Sequence, residues 1–418
     1  MDRKRMLDRF LQYVRIDTTA REGATTYPST PGQLELGKLV VLQLREMGIS
    51  DASQDEHGIV LATIPANNGR SKPVVAFNSH FDTSPETTGT NVRPQVIEKY
   101  SGGDIPLPGN PNQIITVDKC PALKNLLGKT LITTDGHTLL GGDDKAGIAI
   151  MMELAKHLRE NSSIQHGPVR LLFTCDEEIG RGVQHVDIAR VAADACYTFD
   201  GGGQNDVDQE TFSADMAMIV LHGVNIHPGL AKDKMVNTIR MAGSFLDKLP
   251  REISPERTDG RVGFLHPYTL EGGVAKTEIK ILLRSFETGD LEPFAQRLRD
   301  VARAVESEFA GGRVEVQIKK QYRNMRDGLS REPRAVEFAV EAHRRLGREP
   351  KLTIIRGGTD GSQLTEQGLP TPNLSSGQHN IHSPLEFACL DEMLAACEVG
   401  AEIVKLWGDA AAETTSDF

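Results

Sequence analysis

The sequence predicts an α/β fold interrupted by a small α+β domain. Strand-like apolar runs alternate with helix-like ones in two separate stretches, 1–210 and 325–418. The stretch between them, 211–324, has the order β-α-β-β-α-β, the split βαβ or ferredoxin-like pattern. Acids and histidines stand where several of the outer apolar runs end. The simplest architecture is one discontinuous α/β domain carrying the second domain as an insert.

In chain order, Met6, Leu7, Phe10, Leu11 and Val14 follow helical spacing, so the charged start is an amphipathic helix rather than an export signal. TPGQLELGKLVVLQLREMGI (30–49) is a helix with Thr30 as N-cap, Pro31 in the first turn and Gly48 at its end. IVLATIP (59–65) and VVAFNSH (74–80) are strands, and the Gly/Pro/Asn-rich stretch 84–115 reads as one long loop. A helix runs from near Lys145 to about Arg159, and VRLLFT (169–174) and ACYTFD (195–200) are strands. In the insert, MAMIVLHGV, RVGFLHPY, VAKTEIKILLRS and RVEVQIK are strands, and MVNTIRMAGSFLDKL and LEPFAQRLRDVARAVESEFA are helices. A helix at 332–347, strands at 352–356 and near 372, and a helix at 390–407 complete the α/β part, and the tail DAAAETTSDF reads as frayed.

Composition bounds the function. At 39% hydrophobic and 25% charged residues, the 418-residue chain is ordinary for a globular protein. No apolar run reaches the ~20 residues of a membrane span. The net charge of −11 disfavours nucleic acid and anionic membranes as partners. Five scattered cysteines without a CxxC suit a reducing, cytoplasmic setting.

The chemistry lies in five clusters. NSHFDTSP holds His80 and Asp82 at a strand end, two apart and therefore on one face. LLGGDDKAG places Asp143 and Asp144 at a helix start, where one acid would serve as a cap and two exceed that need. TCDEEIG sets Asp176, Glu177 and Glu178 together after an apolar strand, an arrangement that calls for a cation. YTFDGGG ends another strand with Asp200, and GQHNIHSPLEF carries His379 and His382. Each cluster alone also has a bland reading as a cap, a solvated loop or a structural histidine. Their agreement at the carboxyl ends of several strands of one sheet points to a ligand site. Histidine and carboxylate without cysteine suggest zinc, with manganese or cobalt as alternatives, and the surplus of acids suggests two ions.

HFDTSPETTGTNVRPQ, YSGGDIPL, TTDGHTLLGGDDKAGIA, FTCDEEIGRG, TFDGG, NIHPGLAK, IRGGTDGS and NIHSPLEF together resemble the peptidase T family of tripeptide aminopeptidases, a branch of the di-zinc exopeptidases. The resemblance covers nearly the whole chain. It implies a three-layer zinc-exopeptidase-like domain with a ferredoxin-like lid, and hydrolysis of the N-terminal residue from a small peptide. It implies that His80 and Asp200 bind one zinc and Glu178 and His382 the other, with Asp143 between them. Asp82 would hold the His80 ring, and Glu177 would be the general base. His227 would donate to the oxyanion; in dimeric relatives it comes from the partner chain, so a homodimer is an alternative. Arg284 and Arg356 would bind substrate carboxylate or carbonyls. Lys145 and His379 read as structural, and His57, His137 and His166 as solvated. The other readings are a deacylase of N-acyl amino acids and a non-catalytic binder of metal or peptide on the same fold.

Overall fold

The computed structural model describes residues 1–410. Most of the expected DAAAETTSDF tail lies outside them. The chain divides into two units, residues 1–209, 325–353 and 359–418 in the first, and 210–324 with 354–358 in the second. Residues 354–358 thus join the second unit although sequence analysis assigns them to the flanking domain.

The first unit is built on an eleven-stranded mixed sheet. Its centre is four parallel strands in the spatial order Val169–Thr174, Val75–His80, Ala195–Gly202 and Asn373–His379. The first three carry apolar residues on both faces, the signature of a sheet covered twice, whereas Asn373–His379 is mostly polar. Val75, Phe77, Val169, Leu171, Phe173, Ala195, Tyr197 and Phe199 enter one large core. Their neighbours Ala76, Leu172 and Cys196 enter a second, smaller one with Val183, Val191 and Leu364. The large core lies under the helices Arg3–Tyr13, Gly142–Glu160 and Leu390–Asp409, whose apolar stripes are buried there. The smaller core takes Leu364 from the short helix Asp360–Glu366. Helices, sheet and helices make three layers.

Local signals act as the sequence suggests. Asp2 caps the first helix by accepting from Arg5 N. Thr30 is the N-cap of Pro31–Glu46, but no side-chain capping bond is made; its hydroxyl accepts from Gln33 Nε2 instead.

Two readings change. The stretch 84–115 is no bare loop: it contains the short strands Gln95–Ile97, Ile105–Pro106 and Ile114–Ile115. Tyr100, Ile105, Leu107 and Ile115 pack with Leu123, Leu126 and Leu131 in a core of their own. Their apolar residues are separated by Gly and Pro, so no period is visible. His166 is buried, with Nδ1 2.7 Å from the Gly167 carbonyl oxygen, rather than solvated.

The second unit is an antiparallel four-stranded sheet in the spatial order Phe264–Gly272, Lys276–Ser285, Ser213–His222, Arg313–Tyr322. Numbered along the chain this is 2-3-1-4, the ferredoxin-like order. The helices Thr238–Asp247 and Leu291–Glu308 bury Met241, Phe245, Leu298 and Val305 against Ile219, Ile279 and Ile281. Among the described residues no helix is long and apolar enough to cross a membrane.

Candidate active site

Strand parity decides which side chains can meet. Residues 76, 172 and 196 face the smaller core, and two-residue periodicity carries the same face to Asn78 and His80, Thr174, and Thr198 and Asp200. Asn78 Nδ2 donates to Thr174 Oγ1 at 3.4 Å, and Thr198 donates to Asn78 Oδ1 at 3.2 Å. Thr174 also donates to Asp360. This buried polar row ties the carboxyl ends of three strands together just beneath His80.

The helix Gly142–Glu160 brings Asp143 to the same edge. Asp143 and Asp144 have non-helical φ/ψ, and the peptide between them is cis. The two carboxylates diverge. Asp144 Oδ2 accepts from the Ser79 hydroxyl and from His80 N at 3.3 Å, and its Oδ1 accepts from Gly147 N at 3.1 Å. Asp143 faces the histidines: Oδ1 lies 3.1 Å from His80 Nε2 and Oδ2 3.2 Å from His382 Nε2. On the His80 side stand Asp200, at 3.8 Å, and Glu177, at 4.0 Å. On the His382 side stands Glu178, at 3.0 Å. His80, Asp143 and Glu178 have ligand atoms within 4.8 Å of one another, as do His80, Asp144 and Asp200. Asp144 is the less available acid, because both its oxygens already accept hydrogen bonds.

The three acids of TCDEEIG separate by role. Asp176 turns away and accepts from Ser29 N at 2.8 Å, from the Ser29 hydroxyl at 2.5 Å and from Gln33 Nε2 at 2.7 Å. Glu177 and Glu178 turn inward, held by Asp82. Its Oδ1 and Oδ2 accept the backbone N–H groups of Glu177 and Glu178 at 3.0 Å each, while Oδ1 lies 3.3 Å from His80 Nδ1. The family resemblance implies the ring contact but not the grip on the acidic turn.

The electrostatics of the cluster demand positive charge. Burial, reinforced by Asp143, pushes Glu178 up to about 8 against the pull of His382. Burial and Asp143 likewise raise Asp200 to about 7. Burial pulls His382 down, but Asp143 and Glu178 outweigh it and carry it to about 11. Burial opposes ionisation of Asp143, yet the two histidines hold its carboxyl below the usual range. Glu178 Oε1 is buried without a hydrogen-bond partner. Divalent cations fit this donor set: they would supply Glu178 Oε1 with a partner and let the acids ionise beside neutral histidines.

His227, Arg284 and Arg356 belong to the second unit. His227 is exposed, and its Nδ1 accepts from Gly229 N at 3.1 Å. Arg284 is buried, donates to the carbonyls of Asp215 and Leu283, and stacks over Tyr322. Arg356 donates to the carbonyls of Thr258, Gly260 and Val262 and to the Thr258 hydroxyl. It also lies over Phe212 and Phe264. Its planar fork therefore staples a loop, a use that an isolated IRGGTDG motif does not reveal. His379 makes a 2.7 Å pair with Glu392 and stacks on Phe387, a structural arrangement.

Such a buried histidine–carboxylate cluster, at the carboxyl edge of a three-layer sheet, is the site of a hydrolase class that works on amide bonds, and the chain belongs to the peptidase family M20/M25/M40, whose profile matches residues 135–406. It is a peptidase. It is 44% identical over 405 residues to Peptidase T of Geobacillus thermodenitrificans, covering 97% of this chain and 98% of the relative. It is 43% identical over 404 residues to Peptidase T of Caldanaerobacter subterraneus, covering 97% and 99%. The fold is shared with the crystal structure of aminopeptidase PepT from Bacillus cereus, with a TM-score of 0.74 at 24% identity over 97% of this chain and 98% of that one. A tripeptidase from Staphylococcus aureus gives a TM-score of 0.77 at 22% identity over 98% and 100%.

Proposed function

We propose that the chain is a metal-dependent aminopeptidase that removes the N-terminal residue of tripeptides. The observation that carries the metal-dependent part is the Asp143 carboxylate, which offers one oxygen to the His80 side and one to the His382 side. His80 and Asp200 would hold one ion and His382 and Glu178 a second, with Asp143 shared. When bound, two divalent ions lower the pKa of a water and polarise the scissile carbonyl.

The protein's own groups do the rest. Glu177 faces His80 from the turn that Asp82 fixes. Burial raises its carboxyl well above the usual range, partly offset by His80, which suits a group that takes a proton from the attacking water and returns it to the leaving amine. Asp82 holds both the His80 ring and the Glu177 backbone, so the base and one ligand move together. By the resemblance alone, His227 is assigned the oxyanion donor and Arg284 a contact to the peptide, although Arg284 is buried and donates to carbonyls within its own unit. Arg356 is assigned a supporting role, because its fork is occupied within its own unit.

The aminopeptidase and tripeptide assignments rest on the likeness to the Peptidase T relatives. A cytoplasmic setting is supported by five cysteines that are all free and buried. The test is to incubate zinc-, manganese- or cobalt-loaded protein with free-amine di-, tri- and tetrapeptides and with N-acyl amino acids. Release of the N-terminal residue, fastest from tripeptides, is expected. Cleavage confined to the acylated set would overturn the assignment in favour of a deacylase.

A further inference from the structure

We propose that Glu386 is a positioning residue for the candidate metal centre, gripping the turn that presents Asp143 and joining it to the segment that presents His382. This rests on the reading of Asp143 as the shared ligand.

Glu386 is 1% exposed. A carboxylate buried so deeply requires donors. It finds three, all from the main chain of one turn. Oε2 accepts from Leu140 N at 2.7 Å and Gly141 N at 2.8 Å, and Oε1 accepts from Asp143 N at 3.1 Å. Successive N–H groups folded round one anion form a nest. Lys145, whose ammonium feels the Glu386 charge, donates its Nζ elsewhere, to the Ile16 carbonyl at 2.8 Å.

The two glycines of LLGGDDKAG acquire a reason from this. Gly141 has φ +80°, a left-handed conformation that glycine adopts without the Cβ penalty. A Cβ on Gly142 would stand 3.1 Å from Glu386 Oε1. Gly141 allows the backbone to turn round the carboxylate, and Gly142 keeps the approach to Oε1 open.

Glu386 also lies on the segment that carries His382. That segment is anchored beyond it, where Phe387–Cys389 pairs antiparallel with Leu131–Thr133. It is folded back on itself by Glu386 N donating to Ser383 O at 3.1 Å. One buried side chain therefore sets Asp143 N relative to the backbone of His382, whose ring meets Asp143 at 3.2 Å. Ligands must be held within about 0.5 Å of productive geometry. Asp143 sits outside regular helical φ/ψ, so its placement depends on such external support.

The test compares Glu386→Gln and Glu386→Asp with the unsubstituted protein. Glutamine replaces one accepting oxygen by an NH2 group that opposes backbone N–H donors. Aspartate keeps the charge but is too short to reach all three. The readouts are the absorption spectrum of the cobalt(II)-loaded protein, metal affinity by chelator competition, kcat and KM on a free-amine tripeptide, and Tm. For Glu386→Gln, metal affinity and kcat are expected to fall about 10- to 100-fold, the range for groups that orient ligands. KM should stay within about two-fold and the cobalt spectrum should shift, with Glu386→Asp intermediate. A folded Glu386→Gln protein with the original cobalt spectrum and metal affinity would overturn the proposal, whatever its Tm. If Glu386→Gln does not fold, the same comparison is made on Glu386→Asp, and an unchanged spectrum and affinity there overturns it equally. Asp143→Asn separates the two claims: metal binding retained in that variant sinks the shared-ligand reading itself. Metal binding lost there but unchanged in the Glu386 variants sinks only the positioning role.

Discussion

Replacing Asp82 by asparagine probes the point where a metal ligand and the general base share one support. The carboxylate accepts the N–H groups of Glu177 and Glu178 at 3.0 Å each and lies 3.3 Å from His80 Nδ1. Asparagine keeps one accepting oxygen and points an NH2 group at donors. At least one of the Glu177 and Glu178 N–H groups then loses its acceptor and the survivor loses its charge-assisted character, while the His80 ring keeps the Asp82 carbonyl oxygen, 3.1 Å from Nδ1. A hydrogen bond to a charged group contributes about 1.5–3 kcal/mol, and a buried donor left unmet costs about 1–3 kcal/mol. If about 2–4 kcal/mol of this reaches the transition state, kcat/KM falls roughly 30- to 1000-fold at 1.36 kcal/mol per decade. The assay is steady-state hydrolysis of a free-amine tripeptide alongside metal content per chain. The expected result is a fall carried by kcat, with the His80-side ion bound more weakly. An Asp82→Asn protein that retains full kcat and full metal content would refute the shared-support reasoning.

The remaining expectations follow from other contacts. Glu177→Gln should keep both metals and lose about 10²- to 10⁴-fold in kcat; wild-type turnover would remove Glu177 from proton transfer. Stripping metal with a chelator should lower Tm, because an ion at 100 times its Kd contributes about 2.7 kcal/mol; equal melting with and without metal would show that the acidic cluster needs no cation. Arg356→Ala should destabilise the second unit by about 1–3 kcal/mol, seen as faster amide exchange at 258–262. A rise in KM with unchanged exchange would return Arg356 to the substrate. Burial, with Arg348 beside it, holds His343 down at about 4 against 6.5. Its folded form favours the neutral ring, so its contribution to stability is present above pH 6.5 and is lost as pH falls toward 4. Urea unfolding of the protein and of His343→Gln should therefore converge or cross as pH drops from 7.5 to 4.5, and a constant difference would contradict this.

The parts of the fold legible in the sequence are those whose apolar pattern is long and uninterrupted. VRLLFT is a strand at Val169–Thr174 as expected, and the insert's six elements appear in order. Leu131–Thr133 and Phe387–Cys389 escaped because three residues carry no period, and their identity as strands comes from pairing with each other across the chain. The stretch 84–115 was misread for a related reason. Its core residues are spaced by turns rather than by a helix or strand repeat, and they become a core only when Leu131 and Phe387 close over them.

The candidate site divides in the same way. Groups that face the cation position are acids and histidines, which are conspicuous at strand ends, so their five clusters could be picked out; the family resemblance chose His80, Asp143, Glu177, Glu178, Asp200 and His382 among them, and the structure brings these six together. The groups that hold them are not conspicuous. Ser79, Asn78, Thr174 and Thr198 are small polar residues inside apolar strands, and only register shows that three of them align beneath His80. Glu386 looks like a surface acid in HSPLEF until its carboxylate is seen to collect three N–H groups from a turn distant in sequence. Ligand chemistry is a property of side-chain type and can be read one residue at a time. Positioning is a property of pairs, one of them backbone, and the pairing partner is chosen by the fold. A constellation assembled from strand ends therefore announces its reactive atoms in the sequence and conceals the contacts that make their geometry reproducible.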